Sequence, residues 1–237
     1  MIKLQTYRLE PFIAANAKTD PLTTEWLREA INKLMRNERK PLEEAGADVS
    51  LFFNHHPETG RTRIGYPLII YHYLDGRFYL TAINEGVLSL SLLASRFNKP
   101  FSIGDIVFEG FKKENKGEEF DLGSTAEPRS YALMEWLPLH HKDLNAYRLM
   151  DMAGKVTELN NRLEKHISGE LGKYLGISFD ALQVVITDIT RVYPEPVMCK
   201  GHEYPAFDIR FTTNVALPRL ITLGNNKALG YGRVMPA

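Results

Sequence analysis

The chain has 237 residues, with 29 Lys and Arg against 29 Asp and Glu, and 44% of its residues are hydrophobic. That length buries a substantial core and suits two domains of about 115 residues each. A net charge of zero counts against a nucleic-acid binder unless the basic residues are clustered, and the single Cys199 excludes an internal disulfide framework and a cysteine zinc cluster. No apolar run is long enough to cross a bilayer, and Met1 to Tyr7 alternates like a strand rather than forming a signal-peptide core, so the chain reads as cytoplasmic.

Residues 1–10 predict a strand. Asp20-Pro21 predicts a helix start, with Asp20 as N-cap and Pro21 in the first turn. Leu22, Trp26, Ala30, Ile31 and Leu34 continue at helical spacing. Residues 38–48 read as a polar loop, and Val49 to His55 and Tyr66 to Leu74 as strands. Asp75-Gly76 is a hairpin turn before a strand from Arg77 to Ile83. Val87, Leu88, Leu90, Leu92 and Leu93 predict a short apolar helix, Phe101 to Phe111 a strand, and Lys112 to Gly117 a charged turn. This order suits a ferredoxin-like unit. A linker is expected near Gly123 to Pro128, which divides the chain into domains 1–126 and 127–237. Beyond it come a strand from Tyr131 to Leu139, a helical region over about residues 143–175 with a break expected at Gly154, and a β-branched strand from Leu182 to Tyr193. Phe207, Ile209, Phe211 and Thr213 alternate with polar residues, a half-buried strand pattern. The expected fold is α+β, two tandem ferredoxin-like (RRM-like) domains that close on a glycine-rich loop.

That loop holds Gly224, Gly230 and Gly232, with Asn225, Asn226 and Lys227 at its tip and Arg219 and Arg233 flanking it. Glycines let a backbone approach closely, and peptide N–H groups with nearby cations can hold phosphates. A P-loop is excluded, because Lys227 lies between the glycines, and so is a dinucleotide fingerprint, because the loop leads into a strand at the end of the chain. A glycine hairpin without a ligand fits the same residues. In the second helical region Lys155, Arg162, His166 and Lys173 share one stripe at α-helical spacing, beside an apolar arc of Val156, Leu159, Leu163, Ile167 and Leu171. The stripe suits either a phosphate-binding edge or a solvated helix face.

Histidines supply the proton-transfer candidates. His55 and His56 end a predicted strand, where neighbouring side chains point to opposite faces. His140 and His141 precede a helix start and read as capping or solvated, His72 reads as structural, and His202 has no assigned role. No metal-ligand spacing and no nucleophile elbow occurs, so no metal or other cofactor is expected.

From Phe207 to Val234 the chain resembles the CRISPR-associated endoribonucleases that cut repeat RNA, above all their b-type branch. The resemblance rests on Thr213-Asn214, Leu217-Pro218, Leu223-Gly224 and Gly230-Tyr231-Gly232. Asn54-His55, Tyr66-Pro67-Leu68-Ile69-Ile70-Tyr71, Ile83-Asn84-Glu85-Gly86 and Leu137-Pro138-Leu139 extend it in order over nearly the whole chain. It implies an RNA hairpin bound by two ferredoxin-like domains and metal-independent cleavage, in which a ribose 2′-OH attacks the adjacent phosphate. The b-type pattern has two histidines flanking one residue. The first of those positions is Phe53 here and the second is His55, so His55 carries over as the catalytic residue, with His56 or Tyr66 as its partner. With RNA as the ligand, the helical stripe and the glycine loop nominate Lys155, Arg162, His166, Lys173, Arg219, Gly224, Asn225, Lys227, Gly230, Gly232 and Arg233 for binding it. The resemblance leaves open a homodimer, association with other effector subunits, and a catalytically silent RNA-binding role.

Overall fold

The computed structural model describes residues 1–13, 23–53, 65–103, 106–179, 181–199 and 201–237. The chain divides into compact units of residues 2–120 and 121–237. The N-terminal unit runs β1 (Ile2–Ile13), α1 (Thr24–Glu44), α2 (Ser50–Phe53), β2 (Ile69–Leu74), β3 (Arg77–Ile83), α3 (Gly86–Ala94), β4 (Phe101–Ile103) and β5 (Ile106–Phe120). Its sheet has the order β2-β3-β1-β5-β4 and is antiparallel throughout. Setting aside the edge strand β4, the first and last strands of a βαββαβ chain lie side by side, the ferredoxin-like arrangement. Helix α1 buries Leu27, Ala30, Ile31 and Leu34 in a core shared with Phe78, Leu80 and Phe108. Removing these side chains from water is the main term favouring the packing. The Asp75-Gly76 turn forms as its sequence predicts, with φ of 51° and 74°.

Three elements depart from the sequence pattern. Helix α1 is capped by Thr23, whose hydroxyl accepts from Trp26 N at 3.2 Å, and it continues past the expected loop to Glu44. The extension goes through Pro41, which lacks an N–H. Burial of Leu42, and the ion pairs of buried Glu38 with Lys99 (2.6 Å) and Arg96 (3.5 Å), offset that loss. Residues 50–53 form a helical turn instead of a strand. The Asp48 carboxylate accepts from both Ser50 N and Ser50 Oγ, and Phe52 N bonds to Val49 O at 3.3 Å, which closes the turn. The strand alternation used to separate the faces of His55 and His56 therefore has no strand leading into it. His55 and His56 themselves lie outside the described residues, as do Asp20 and Pro21. Third, the one strand expected over Phe101 to Phe111 is two antiparallel strands, with Phe101 opposite Phe108, and Lys112 to Gly117 stay in β5, because β1 is long enough to pair with them and Arg8 bonds Glu114 at 2.7 Å across the ladder.

The C-terminal unit repeats the plan. It runs β6 (Ser124–Trp136), a 3₁₀ turn (His141–Asp143), α4 (Leu144–Leu149), α5 (Met152–Lys165), a π-helical segment (His166–Gly172) and α6 (Lys173–Leu175). Then come β7 (Val184–Val192), β8 (Val197–Cys199), β9 (His202–Tyr204), β10 (Phe207–Val215), a 3₁₀ turn (Lys227–Leu229) and β11 (Arg233–Pro236). The sheet order β11-β6-β10-β7 again sets first and last strands side by side, and β8 with β9 forms a separate ribbon. Where the N-terminal unit has α3, this unit has the glycine-rich segment between β10 and β11. Residues expected to form a linker belong to β6. The pairing jumps from Thr213–Arg129 to Val215–Ser124, and that irregularity accommodates Pro128, which has no N–H for the ladder. The helical break falls before Gly154, where Asp151 caps α5 by accepting from Gly154 N at 2.7 Å.

Gly176 and Gly232 have nearly the same φ, 69° and 68°, but an added Cβ meets nothing at Gly176 and lies 1.9 Å from Leu223 O at Gly232. Gly176→Ala is expected to cost about 1 kcal/mol, the left-handed penalty alone. Gly232→Ala is expected to cost about 3 kcal/mol or more, because backbone must move as well. Urea denaturation of the two variants checks this; equal costs would contradict the close approach.

Candidate nucleic-acid interface

The segment that carries His55 is entered through a fixed backbone. Tyr71 OH donates to Phe52 O at 3.1 Å, and Arg28 Nη2 donates to Phe53 O at 3.0 Å. Burial pushes the Tyr71 phenol well up, with Arg28 offsetting only part, so it stays a neutral donor. On the far side Tyr66 is buried, 5% exposed, and precedes β2. Leu68 O accepts from Ile83 N at 2.9 Å and holds this side to the end of β3.

In the C-terminal unit the glycine segment is seated on the end of β6. A Cβ on Gly224 would lie 2.9 Å from both Leu137 O and the Trp136 ring, so only glycine fits. Asn225 donates to Leu137 O twice, from its backbone N at 3.0 Å and its Nδ2 at 2.9 Å. Gly232 N bonds to Glu135 O at 3.0 Å. Arg233, 8% exposed, pairs with Glu135 and donates to Gly230 O at 3.1 Å. The glycines and Arg233 thus have partners inside the unit. Arg233 is a strut of the loop rather than a cation at its surface.

The helical stripe also differs from its wheel. His166, at 6% exposed, lies beneath the helix, and its Nδ1 accepts from Trp136 Nε1 at 3.3 Å. Burial, then the charges of Lys227, Arg162 and Lys165, lower its pKa to about 3, so the ring is neutral. It is therefore no cation near neutral pH. Arg162 is held by Glu158 at 2.7 Å and Asp143 at 2.9 Å. Burial alone would pull its pKa down, and the two carboxylates more than offset that. Lys227 is clasped between Glu170 and Gly224 O, which ties the loop to the π-helical segment. That segment has wider turns than the α-helix assumed by the wheel, so Lys173 does not continue the line from Lys155. Lys155 lies 5.9 Å above the Tyr147 ring. Lys173 and Arg219 are exposed, and among the described residues neither has a carboxylate partner.

The structure thus joins Gly224, Asn225, Lys227 and His166 around Trp136 and Glu170. It leaves Lys173 and Arg219 as open cations. Helical spacing could have shown Glu158 beside Arg162 and Glu170 beside His166, but nothing in the sequence pointed to Glu170 as the partner of Lys227 or to Glu135 as that of Arg233. Among the described residues, no group of three or more His, Cys, Asp and Glu is arranged to hold a metal ion, and no helix is long and apolar enough to cross a membrane.

Fold and site together define a tandem ferredoxin-like protein with a glycine loop in place of its last helix. Residues 22–120 match the family model of the Cas6b N-terminal domain, and residues 123–237 match that of the Cas6b C-terminal domain. The chain belongs to the Cas6 family. No curated protein matched it. Among solved structures it is similar to a crystal structure of Cas6b, with 20% identity, 99% of this chain and 100% of that chain covered, and a TM-score of 0.71. A crystal structure of the CRISPR RNA processing endoribonuclease Cas6b gives 18% identity, 99% and 100% coverage, and a TM-score of 0.63. Csf5, a type IV Cas6 crRNA endonuclease, gives 14%, 99% of each chain and 0.62. At such identities the likeness is one of fold.

Two outcomes are expected. If Lys173 and Arg219 meet phosphates, each change to Ala lowers the salt slope of RNA binding by about one phosphate contact. Arg162→Ala leaves the slope nearly unchanged and lowers stability instead. A binding titration against salt checks this, and an unchanged slope in the Lys173/Arg219 double variant would refute these contacts. The buried neutral His166 sets an acid response. Below about pH 6.5 the unfolded imidazole takes a proton that the folded one, with a pKa of about 3, does not, so stability falls as pH falls between those values. At pH 5 the loss from this group is about 2 kcal/mol. Denaturation midpoints of wild type and His166→Gln at about pH 7.5 and pH 5 measure it. Equal pH dependence in both would contradict the burial.

Proposed function

We propose that the protein is an endoribonuclease that cuts CRISPR repeat RNA into guide RNAs without a metal cofactor. The observation that carries the reading is the match of both halves, in order, to the two domains of Cas6b. A solved protein of that name and of the same fold is a CRISPR RNA processing endoribonuclease.

In this reading the ribose 2′-OH attacks the adjacent phosphorus, and the bond from phosphorus to the 5′-oxygen breaks. The products are a 2′,3′-cyclic phosphate and a 5′-OH. A base takes the 2′-OH proton, an acid gives one to the leaving oxygen, and cations steady the charge on the non-bridging oxygens. His55 is the principal proton-transfer residue, and His56 or the Tyr66 phenol is its partner. Such transfer needs a group held in place. The bonds from Tyr71 and Arg28 to the carbonyls of Phe52 and Phe53 support that requirement, because these residues lead directly into Asn54-His55. The C-terminal unit supplies RNA contacts through Lys173, Arg219 and the edge of the glycine segment.

Removing His55 is expected to slow single-turnover cleavage of the repeat transcript in EDTA by about 10²–10⁴-fold, with RNA affinity within about threefold of wild type. A His55→Ala variant that cuts at the wild-type rate would overturn the assignment. If wild type binds the repeat but never cuts it, the protein is an RNA-binding subunit and the enzymatic reading fails.

A further inference from the structure

Three histidines with no part in this mechanism meet in the C-terminal unit. His140 caps the 3₁₀ turn, His141 is the first residue of that turn, and His202 opens β9. The His141 and His202 rings stack face to face, 3.8 Å between centroids and 3° from parallel, and His140 lies against His141 at 4.0 Å and 40°. Tyr204 presents its ring at right angles to His140 and His141, at 6.4 Å and 6.5 Å. His202 is exposed, and His140 and His141 are partly so. His140 Nδ1 accepts from Lys142 N at 3.4 Å, and among the described residues His141 Nδ1 is buried without a hydrogen-bond partner.

The charged and titratable surroundings come from five elements. The 3₁₀ turn brings Lys142 and Asp143, and Asp143 is drawn to Arg162 of α5 at 2.9 Å. On β8, Cys199 lies opposite His202 in the ribbon. On β9, Glu203 faces Arg148 of α4 at 3.9 Å. Burial first, then the charges of His140, His202 and Lys142, hold the His141 ring below its ordinary pKa against the pull of Asp143.

This geometry does not suit a metal ion. Imidazole lone pairs lie in the ring plane, and in parallel stacked rings they run side by side instead of converging on one centre. It does suit a shared proton. One imidazolium can stack on a neutral ring, whereas a second charge some 4 Å away is repelled. A phosphate at the open side of the stack favours the charged form of a ring there, so its arrival draws a proton into the cluster. The chain's charge makes this useful. Its 29 basic and 29 acidic residues cancel, and Arg162, Lys227 and Arg233 already hold carboxylates.

We propose that His140, His141 and His202 form a phosphate-binding site for the RNA backbone that becomes cationic by taking up a proton as it binds. The proposal rests on the RNA reading above and adds a site to it.

Two arms test it. In the first, the ring proton signals of the histidines are titrated by NMR with and without inorganic tripolyphosphate, a probe independent of RNA. At least one of the three rings is expected to rise in pKa by about half a unit to one unit. No rise in any of them overturns the site. In the second, repeat RNA is titrated at constant ionic strength at about pH 8 and about pH 6. Wild-type affinity is expected to gain about three- to tenfold on acidification beyond that of the triple variant H140N/H141N/H202N, as a pKa rise of that size requires. The variant should match wild type within about twofold at the higher pH, and a thermal melt there confirms that it folds. Equal gains in both proteins overturn the proposal. So does stoichiometric Zn²⁺ binding that the triple variant loses. If tripolyphosphate shifts the rings but no RNA binds at either pH, the RNA reading fails while the anion site stands.

Discussion

The C-terminal unit depends on one close approach, the seating of its glycine segment on Trp136 and Leu137. Gly224 leaves no room for a Cβ beside the indole ring, Asn225 donates twice to the Leu137 carbonyl, and the indole N–H reaches His166 in the π-helical segment. A side chain at Gly224 would collide with both supports. The fit replaces a helix that the ferredoxin-like plan would place between β10 and β11, and it leaves backbone where helical side chains would have stood. Lys227 and Glu170 then fasten the loop to the helical segment from the other side. Loop and helix form one piece, and the wider π turns follow the contacts that hold it.

Such a piece uses up charge. A largely buried basic side chain that is paired with a carboxylate is not free to meet a phosphate, and removing its partner would leave a poorly solvated charge. Arg233 with Glu135 and Arg162 with Asp143 and Glu158 are of this kind. Electrostatic affinity for RNA grows with the number of phosphates neutralised. A chain with no net charge must draw that number from a few exposed cations, from backbone N–H groups, or from side chains that acquire charge on contact.

Much of the fold was legible because it rests on local signals. Alternation along β10, the apolar arc of α1 and the Asp75-Gly76 turn each need only neighbouring residues. Two of the misread elements were decided by distant partners. Helix α1 runs past Glu38 because Lys99 and Arg96 receive that carboxylate, and β5 continues because β1 offers it a long edge. The run at residues 50–53 coils because Asp48 satisfies Ser50 twice, a local bond that an apolar pattern does not display. In the candidate site the glycines were visible by type and spacing. Their partners were not: Glu170 lies 57 residues from Lys227, and His141 and His202 meet only through the fold. A wheel drawn at α-helical spacing could not follow the chain through π turns, nor could it tell that His166 faces inward.

The proposed chemistry divides the work between the units. The N-terminal unit brings the proton-transfer group, reached through carbonyls held by Tyr71 and Arg28, and the C-terminal unit brings RNA contacts. The central claim is that the RNA's own 2′-hydroxyl is the nucleophile. The most direct measurement is mass spectrometry of the ends left when the wild-type protein cuts its repeat transcript in EDTA. A 2′,3′-cyclic phosphate on the upstream fragment and a 5′-OH on the downstream one are the predicted result. A 3′-OH with a 5′-phosphate, or cleavage that appears only when a divalent metal is added, would contradict it.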